Sequence, residues 1–115
     1  MMIVFHITHS QQWEAAKQVG FYRGDTLDTE GFIHCSTLPQ VTRSANKFFA
    51  GKTGLLLLSI DSDKVQAEIK YEEAAGELFP HIYGPLNVGA VVQVVEFVAG
   101  EDGKFELPDG LKEIT

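Results

Sequence analysis

Cations are scarce in this chain: nine Lys and Arg stand against sixteen Asp and Glu, giving a net charge of −7, and only Arg23 and Arg43 are arginines. Binding to a phosphate backbone draws its affinity from clustered cations, so nucleic acid is not an expected partner and a small molecule is. Cysteine is reduced to Cys35 alone, which excludes an internal disulfide, and nothing else in the sequence suggests an oxidising compartment. Apolar runs are short. Leu55 to Leu58 is an example, far below the roughly 20 residues a membrane-crossing helix needs, so no membrane association is expected. The start, Met1 to His6, lacks the basic segment and longer apolar stretch of a signal peptide, and a cytoplasmic location is expected. Repeats, low-complexity tracts and linkers are also missing, and 115 residues is near the common size of one domain with one core.

The residues that are present alternate between strand and helix patterns. Ile3 to Ile7 reads as a short apolar strand, with Ser10 as the cap of a helix over Gln11 to Val19. That helix buries Trp13, Ala16 and Val19 and stops at Gly20. Phe21 to Glu30 is polar and reads as a surface loop. Phe32 to Cys35 forms a second strand, in which Phe32 and His34 share one face and Ile33 and Cys35 the other. A helix is predicted over Pro39 to Phe49, with Val41, Ala45, Phe48 and Phe49 on one side. Leu55 to Ile60 is apolar at nearly every position, the mark of a central strand covered on both faces. Ala67 to Glu72 alternates as a half-exposed strand, Val91 to Val98 gives a longer one, and Phe105 to Leu107 a short edge strand between Gly103, Pro108 and Gly110.

Two histidine signatures concentrate the chemistry: Gly31-Phe32-Ile33-His34-Cys35-Ser36 and Phe79-Pro80-His81-Ile82-Tyr83-Gly84. His6, at a strand end, is a third candidate. Imidazole donates, accepts and shuttles protons near neutral pH, so three in one cleft would be a working site. Taken singly, each histidine reads more readily as a structural hydrogen-bonder. Ser36 and Thr37 lie where a strand enters a helix, a place for an anion on free N–H groups or for plain capping. Phe79 to Leu86 reads as a rigid turn holding His81 and Tyr83 against a ligand ring, or as an apolar plug. Glu72 precedes it closely enough to reach a cleft. His34 and Cys35 point to opposite faces, which argues against a cysteine nucleophile beside its base. The four histidines match no zinc-ligand spacing, so no metal is expected.

GFIHCST, the Leu-rich strand, IKYEE and FPHIYGPL, in that order, resemble the bacterial domain-of-unknown-function 952 family over nearly the whole chain. That family's fold is similar to the ADP-ribosyltransferase domain. The resemblance implies one α+β domain over residues 1–115, with a split, strongly bent mixed sheet, two main helices and NAD in the central cleft. By position, His6 and Thr8 in Phe5-His6-Ile7-Thr8 resemble the motif that holds the adenosine ribose. His34 resembles the histidine that meets nicotinamide in the RNA 2′-phosphotransferase branch. Ser36, Thr37 and Arg43 are then expected near the phosphates, with His34 and His81 as the catalytic candidates and Tyr83 closing the cleft. The third motif departs: transferases offer a glutamate to the nicotinamide ribose where Pro80-His81-Ile82 stands.

The expected function is binding of NAD or a related nucleotide, with ADP-ribosyl transfer or NAD cleavage as the implied activity. A catalytically silent ligand-binding or protein-interaction domain and a metal-dependent hydrolase are the alternatives. The acceptor and the oligomeric state are not specified by these residues.

Overall fold

The structure is a computed structural model and describes residues 2–108 and 111. Its first strand, β1 (Ile3–His9), leads directly into α1 (Ser10–Val19), and His9 rather than Ser10 stands at the cap position. Gly20 ends α1 at φ 90°, a left-handed conformation open to glycine at no steric cost, and its N–H returns to the Ala16 carbonyl. Trp13 and Ala16 are buried as the pattern requires. Val19, expected beside them, is 74% exposed on the last turn.

The polar stretch read as a loop contains β2 (Phe21–Tyr22) and a five-residue helix, α2 (Thr26–Glu30). After β3 (Ile33–His34), a 3-10 turn at Leu38–Gln40 precedes α3 (Val41–Phe48), so the α-helix proper begins two residues later than predicted. Val41 and Ala45 are buried, Phe49 is half-buried, and Phe48 is exposed with the Lys47 ammonium over its ring. The remaining strands are β4 (Leu55–Asp61), β5 (Glu68–Ala74), β6 (Glu77–Tyr83), β7 (Leu86–Asn87) and β8 (Val91–Phe97).

Three sheets result, in the orders β1-β4-β8, β2-β7 and β3-β6-β5, and every pairing among the described residues is antiparallel. The expected mixed sheet is therefore not seen. β4 is central, as its continuous apolar run implies, and both its faces are covered. One face, with Phe5, Leu55, Leu57 and Phe97, packs on Val41 and Ala45 of α3 and on Phe105. The other, with Val4, Leu58 and Ile60, packs on Trp13 and Ala16 of α1 and on Ile33 and Ile82 of the β3-β6-β5 sheet. The chain thus forms one compact α+β domain with open antiparallel sheets and α1 and α3 as its longer helices. Its radius of gyration, 13.3 Å, matches a single globule of this length. Among the described residues no helix is long and apolar enough to cross a membrane.

Two predicted local structures differ. Phe79 to Leu86 is not a turn but β6 and β7 joined at Gly84. Phe105 to Leu107 forms no strand. The side chain of Asn46 takes the place of a neighbouring strand there, accepting from the Phe105 N–H at 2.8 Å and donating to its carbonyl at 3.3 Å, while the Phe105 ring packs on Phe97. Gly110 of that expectation lies outside the described residues.

Leu58 is fully buried against α1, so Leu58→Ala is expected to cost about 2–5 kcal/mol through lost burial and the cavity left behind. Val98→Ala, at a position 74% exposed, should stay within about 0.5 kcal/mol. Urea unfolding midpoints with an unchanged m value check both.

Candidate functional site

The site begins where one strand serves two sheets. Cys35 donates its N–H to the Pro80 carbonyl on β6 at 3.0 Å, while Ser36 exchanges both main-chain bonds with Phe5 on β1, each at 2.8 Å. Successive residues of this segment therefore bond to opposite neighbours, as strand geometry requires. Pro80 has no N–H to return to Cys35, so the β3–β6 ladder closes there. This is also why a proline is accepted inside a strand flanked on both sides: its missing donor falls where β3 is leaving for β1.

Because Cys35 and Pro80 form the bonded type of pair, the preceding pair, His34 and His81, is the close, non-bonded type that brings side chains together. Their ring centroids lie 5.1 Å apart, edge to face. Phe32, on the same face, stacks on His81 at 4.3 Å with an interplanar angle of 18° and tilts against Tyr83 at 5.2 Å. Each histidine is paired with a carboxylate. His81 Nδ1 lies 2.9 Å from Glu72 Oε1 on β5, and the Tyr83 hydroxyl donates to the same oxygen at 2.5 Å. His34 Nε2 lies 3.2 Å from Glu30 at the end of α2. Carboxylates only accept, so the ring nitrogens facing them carry the protons. The Tyr83 hydrogen bond, and then that of His81, holds the Glu72 carboxyl below its ordinary range; the same Tyr83 bond pushes the phenol up. The Lys70 ammonium sits 4.7 Å from the Tyr83 ring centroid.

His6 occupies the other side of the split. The carbonyl of His34 points away from β6 and accepts from His6 Nδ1 at 2.5 Å, so a side chain fills the place of a ladder bond where β1 and β3 part. His6 Nε2 lies 2.7 Å from the Tyr22 hydroxyl, which is 2.8 Å from Thr8 Oγ1. Thr8 lies 3.1 Å from Gln12 Oε1, and Gln12 Nε2 donates to Asp25 at 2.5 Å. The three contacts from His6 Nε2 to Gln12 Oε1 share two hydroxyl protons while His6 is neutral, so one contact always lacks a proton. A protonated His6 would fill all three. Burial nevertheless dominates: it pushes His6 down to about 4 and the Tyr22 phenol up to about 12.

The structure thus gathers His34, His81 and Tyr83 on one wall, with His6 one hydrogen bond from the His34 main chain and Thr8 inside the polar chain behind it. It does not bring Ser36, Thr37 or Arg43 to that wall. The N–H groups expected to be free for an anion are committed, that of Ser36 to Phe5 and that of Thr37 to Gln40 Oε1 at 2.9 Å, and the segment enters a 3-10 turn rather than an α-helix. The Ser36 hydroxyl faces Ser44. Arg43 makes a two-bond fork with Glu77 at 2.5 and 2.6 Å, four residues before His81 and therefore about 13 Å along the strand. The Gln40 amide donates to the Leu78 carbonyl beside this pair, clamping α3 to the start of β6. Cys35 faces the core, where burial pushes its thiol up, away from nucleophilic character. Among the described residues no group of three His, Cys, Asp or Glu side chains is placed to hold a metal ion.

Residues that sequence reasoning missed include Tyr22, Gln12 and Asp25, and the partner roles of Phe32, Glu30 and Lys70. Glu30 and His34 do carry a signal in their four-residue spacing, and Phe32 in its alternation with His34. Tyr22 carries none, because the stretch around it reads as loop.

A family model described as "Protein of unknown function (DUF952)" matches residues 7–94. The crystal structure of protein CC0527 from Caulobacter crescentus is similar at 33% identity, with a TM-score of 0.87 over 96% of this chain and 99% of that one. The solution NMR structure of CC0527 gives 0.80 at the same identity, over 96% and 97%. No curated protein matches. Neither the family model nor these structures shows the ADP-ribosyltransferase-like fold expected from the sequence motifs.

Acid should probe His6 directly. Its folded-state value lies below the unfolded 6.5, so the neutral ring's contribution is complete above pH 6.5 and is lost as pH falls through that value towards 4. Thermal unfolding is expected to lose of the order of 3 kcal/mol over this window. His6→Gln should flatten the profile between pH 6.5 and 4.5; an unchanged slope would assign the acid sensitivity elsewhere.

Proposed function

We propose that this chain, which belongs to the DUF952 family, binds NAD or a related nucleotide at the wall formed by Phe32, His34, His81 and Tyr83. The adjacency of His34 and His81 carries the reading. Two motifs distant in sequence meet at 5.1 Å where the sheet splits, giving a ring-lined, half-exposed surface with acid–base groups on it. Such a surface suits a planar heterocycle such as nicotinamide, and motif order assigns His6 to the adenosine side, with Thr8, expected there too, buried behind it and bonded to Tyr22 and Gln12. Lys70, beside Tyr83, takes over the phosphate role first given to Arg43, whose guanidinium is held by Glu77.

NAD cleavage or ADP-ribosyl transfer is the activity this site would perform, with His34 and His81 as its catalytic groups. A binding-only module is the second reading, favoured by Phe32, whose ring already covers one face of His81.

Titration with NAD, ADP-ribose and nicotinamide, followed by calorimetry and by the imidazole NMR signals, tests the proposal. NAD is expected to shift the His34 and His81 signals, and His34→Ala to weaken binding by about tenfold, the loss of roughly 1.4 kcal/mol of contact. Absence of heat and of shifts at millimolar NAD overturns it.

A further inference from the structure

Tyr83, Glu72 and His81 form a directed array that neither motif order nor family membership assigns. Glu72 Oε1 accepts from both Tyr83 Oη and His81 Nδ1, at 2.5 and 2.9 Å. Glu72 lies on β5, and the other two are alternate residues of β6, so two paired strands fix the geometry. Since Nδ1 donates to the carboxylate, the neutral imidazole keeps its lone pair on Nε2. Phe32, stacked against the ring, limits its rotation. A base with a fixed tautomer, a fixed plane and a carboxylate behind it is suited to taking a proton from an oxygen nucleophile.

The identity of that nucleophile follows from access and charge. His81 is only 7% exposed, a depth that admits water far more readily than the side chain of a second protein. A nucleic-acid acceptor would need a cluster of free cations, yet beside the wall stands Lys70, while Arg23 and Arg43 are tied to Asp28 and Glu77 in a chain of net charge −7.

We infer that His81, positioned by Glu72 and Tyr83, makes water the acceptor, so that the site hydrolyses NAD to ADP-ribose and nicotinamide. The inference rests on the NAD reading above. His81 Nε2 takes a proton from water as the water oxygen bonds to C1′ of the nicotinamide ribose. The glycosidic C–N bond breaks, and its electron pair returns to the pyridinium nitrogen, releasing neutral nicotinamide. The proton on His81 then passes to solvent. Glu72 balances the charge of the transient imidazolium, and Tyr83 holds Glu72 in line.

The purified protein incubated with NAD is expected to release nicotinamide and free ADP-ribose in equal amounts, with no ADP-ribose attached to protein. His81→Asn should lower turnover by at least about 100-fold while NAD still binds. Glu72→Gln, at a half-exposed position where folding is little at risk, should lower kcat by about 10–100-fold at unchanged KM. Tyr83→Phe should lower kcat less and leave KM unchanged. NAD that binds without release of nicotinamide, ADP-ribose found on protein, or a Glu72→Gln variant with unaltered kcat overturns the triad alone. NAD that neither binds nor is cleaved overturns the nucleotide reading together with it.

Discussion

Pro80 cannot donate a hydrogen bond, and the architecture around the histidines depends on that missing proton. A residue with an N–H would continue the ladder between β6 and the segment after β3. Proline leaves the Cys35 carbonyl without that donor, and one residue later the chain pairs with Phe5 instead. The same segment therefore ties two sheets together at their inner ends and lets them diverge outward. His34 and His81 fall on the last close pair before the divergence, and His6 bridges the first gap beyond it.

The apolar layers explain why this opening is sustained. β4 is buried on both faces, by α3 on one side and by α1 with the second sheet on the other, so most of the stabilising burial lies away from the split. The groups at the split are held by polar contacts instead. Some are short and shielded, such as the chain behind His6, and these are the contacts whose loss costs most. Others, such as the His34–Glu30 and Arg43–Glu77 pairs, are exposed and contribute less.

Much of this was legible in the residues themselves. The Leu55 run announced the central strand, Trp13, Ala16 and Gly20 announced α1, and His34 and His81 announced the wall. Phe79 to Leu86 misled because proline and glycine usually mark turns, and only the departing neighbour strand makes Pro80 acceptable within β6. Tyr22 was hidden because a two-residue strand has no periodicity to detect. The fork between Arg43 and Glu77 was hidden for a different reason: Glu77 reaches that guanidinium from a strand far away in sequence, a tertiary fact that no local pattern encodes. Glu72 was noticed only as close enough to reach the cleft; its partnership with His81 depends on the β5–β6 register.

The shared protons behind His6 give this side of the split an electrical property of its own. Two hydroxyl protons over three contacts allow three arrangements, related by rotations of the Tyr22 and Thr8 hydroxyls alone. Each arrangement carries a different dipole along the line from His6 to Gln12. The floor of the split is thus polarisable without any heavy atom moving.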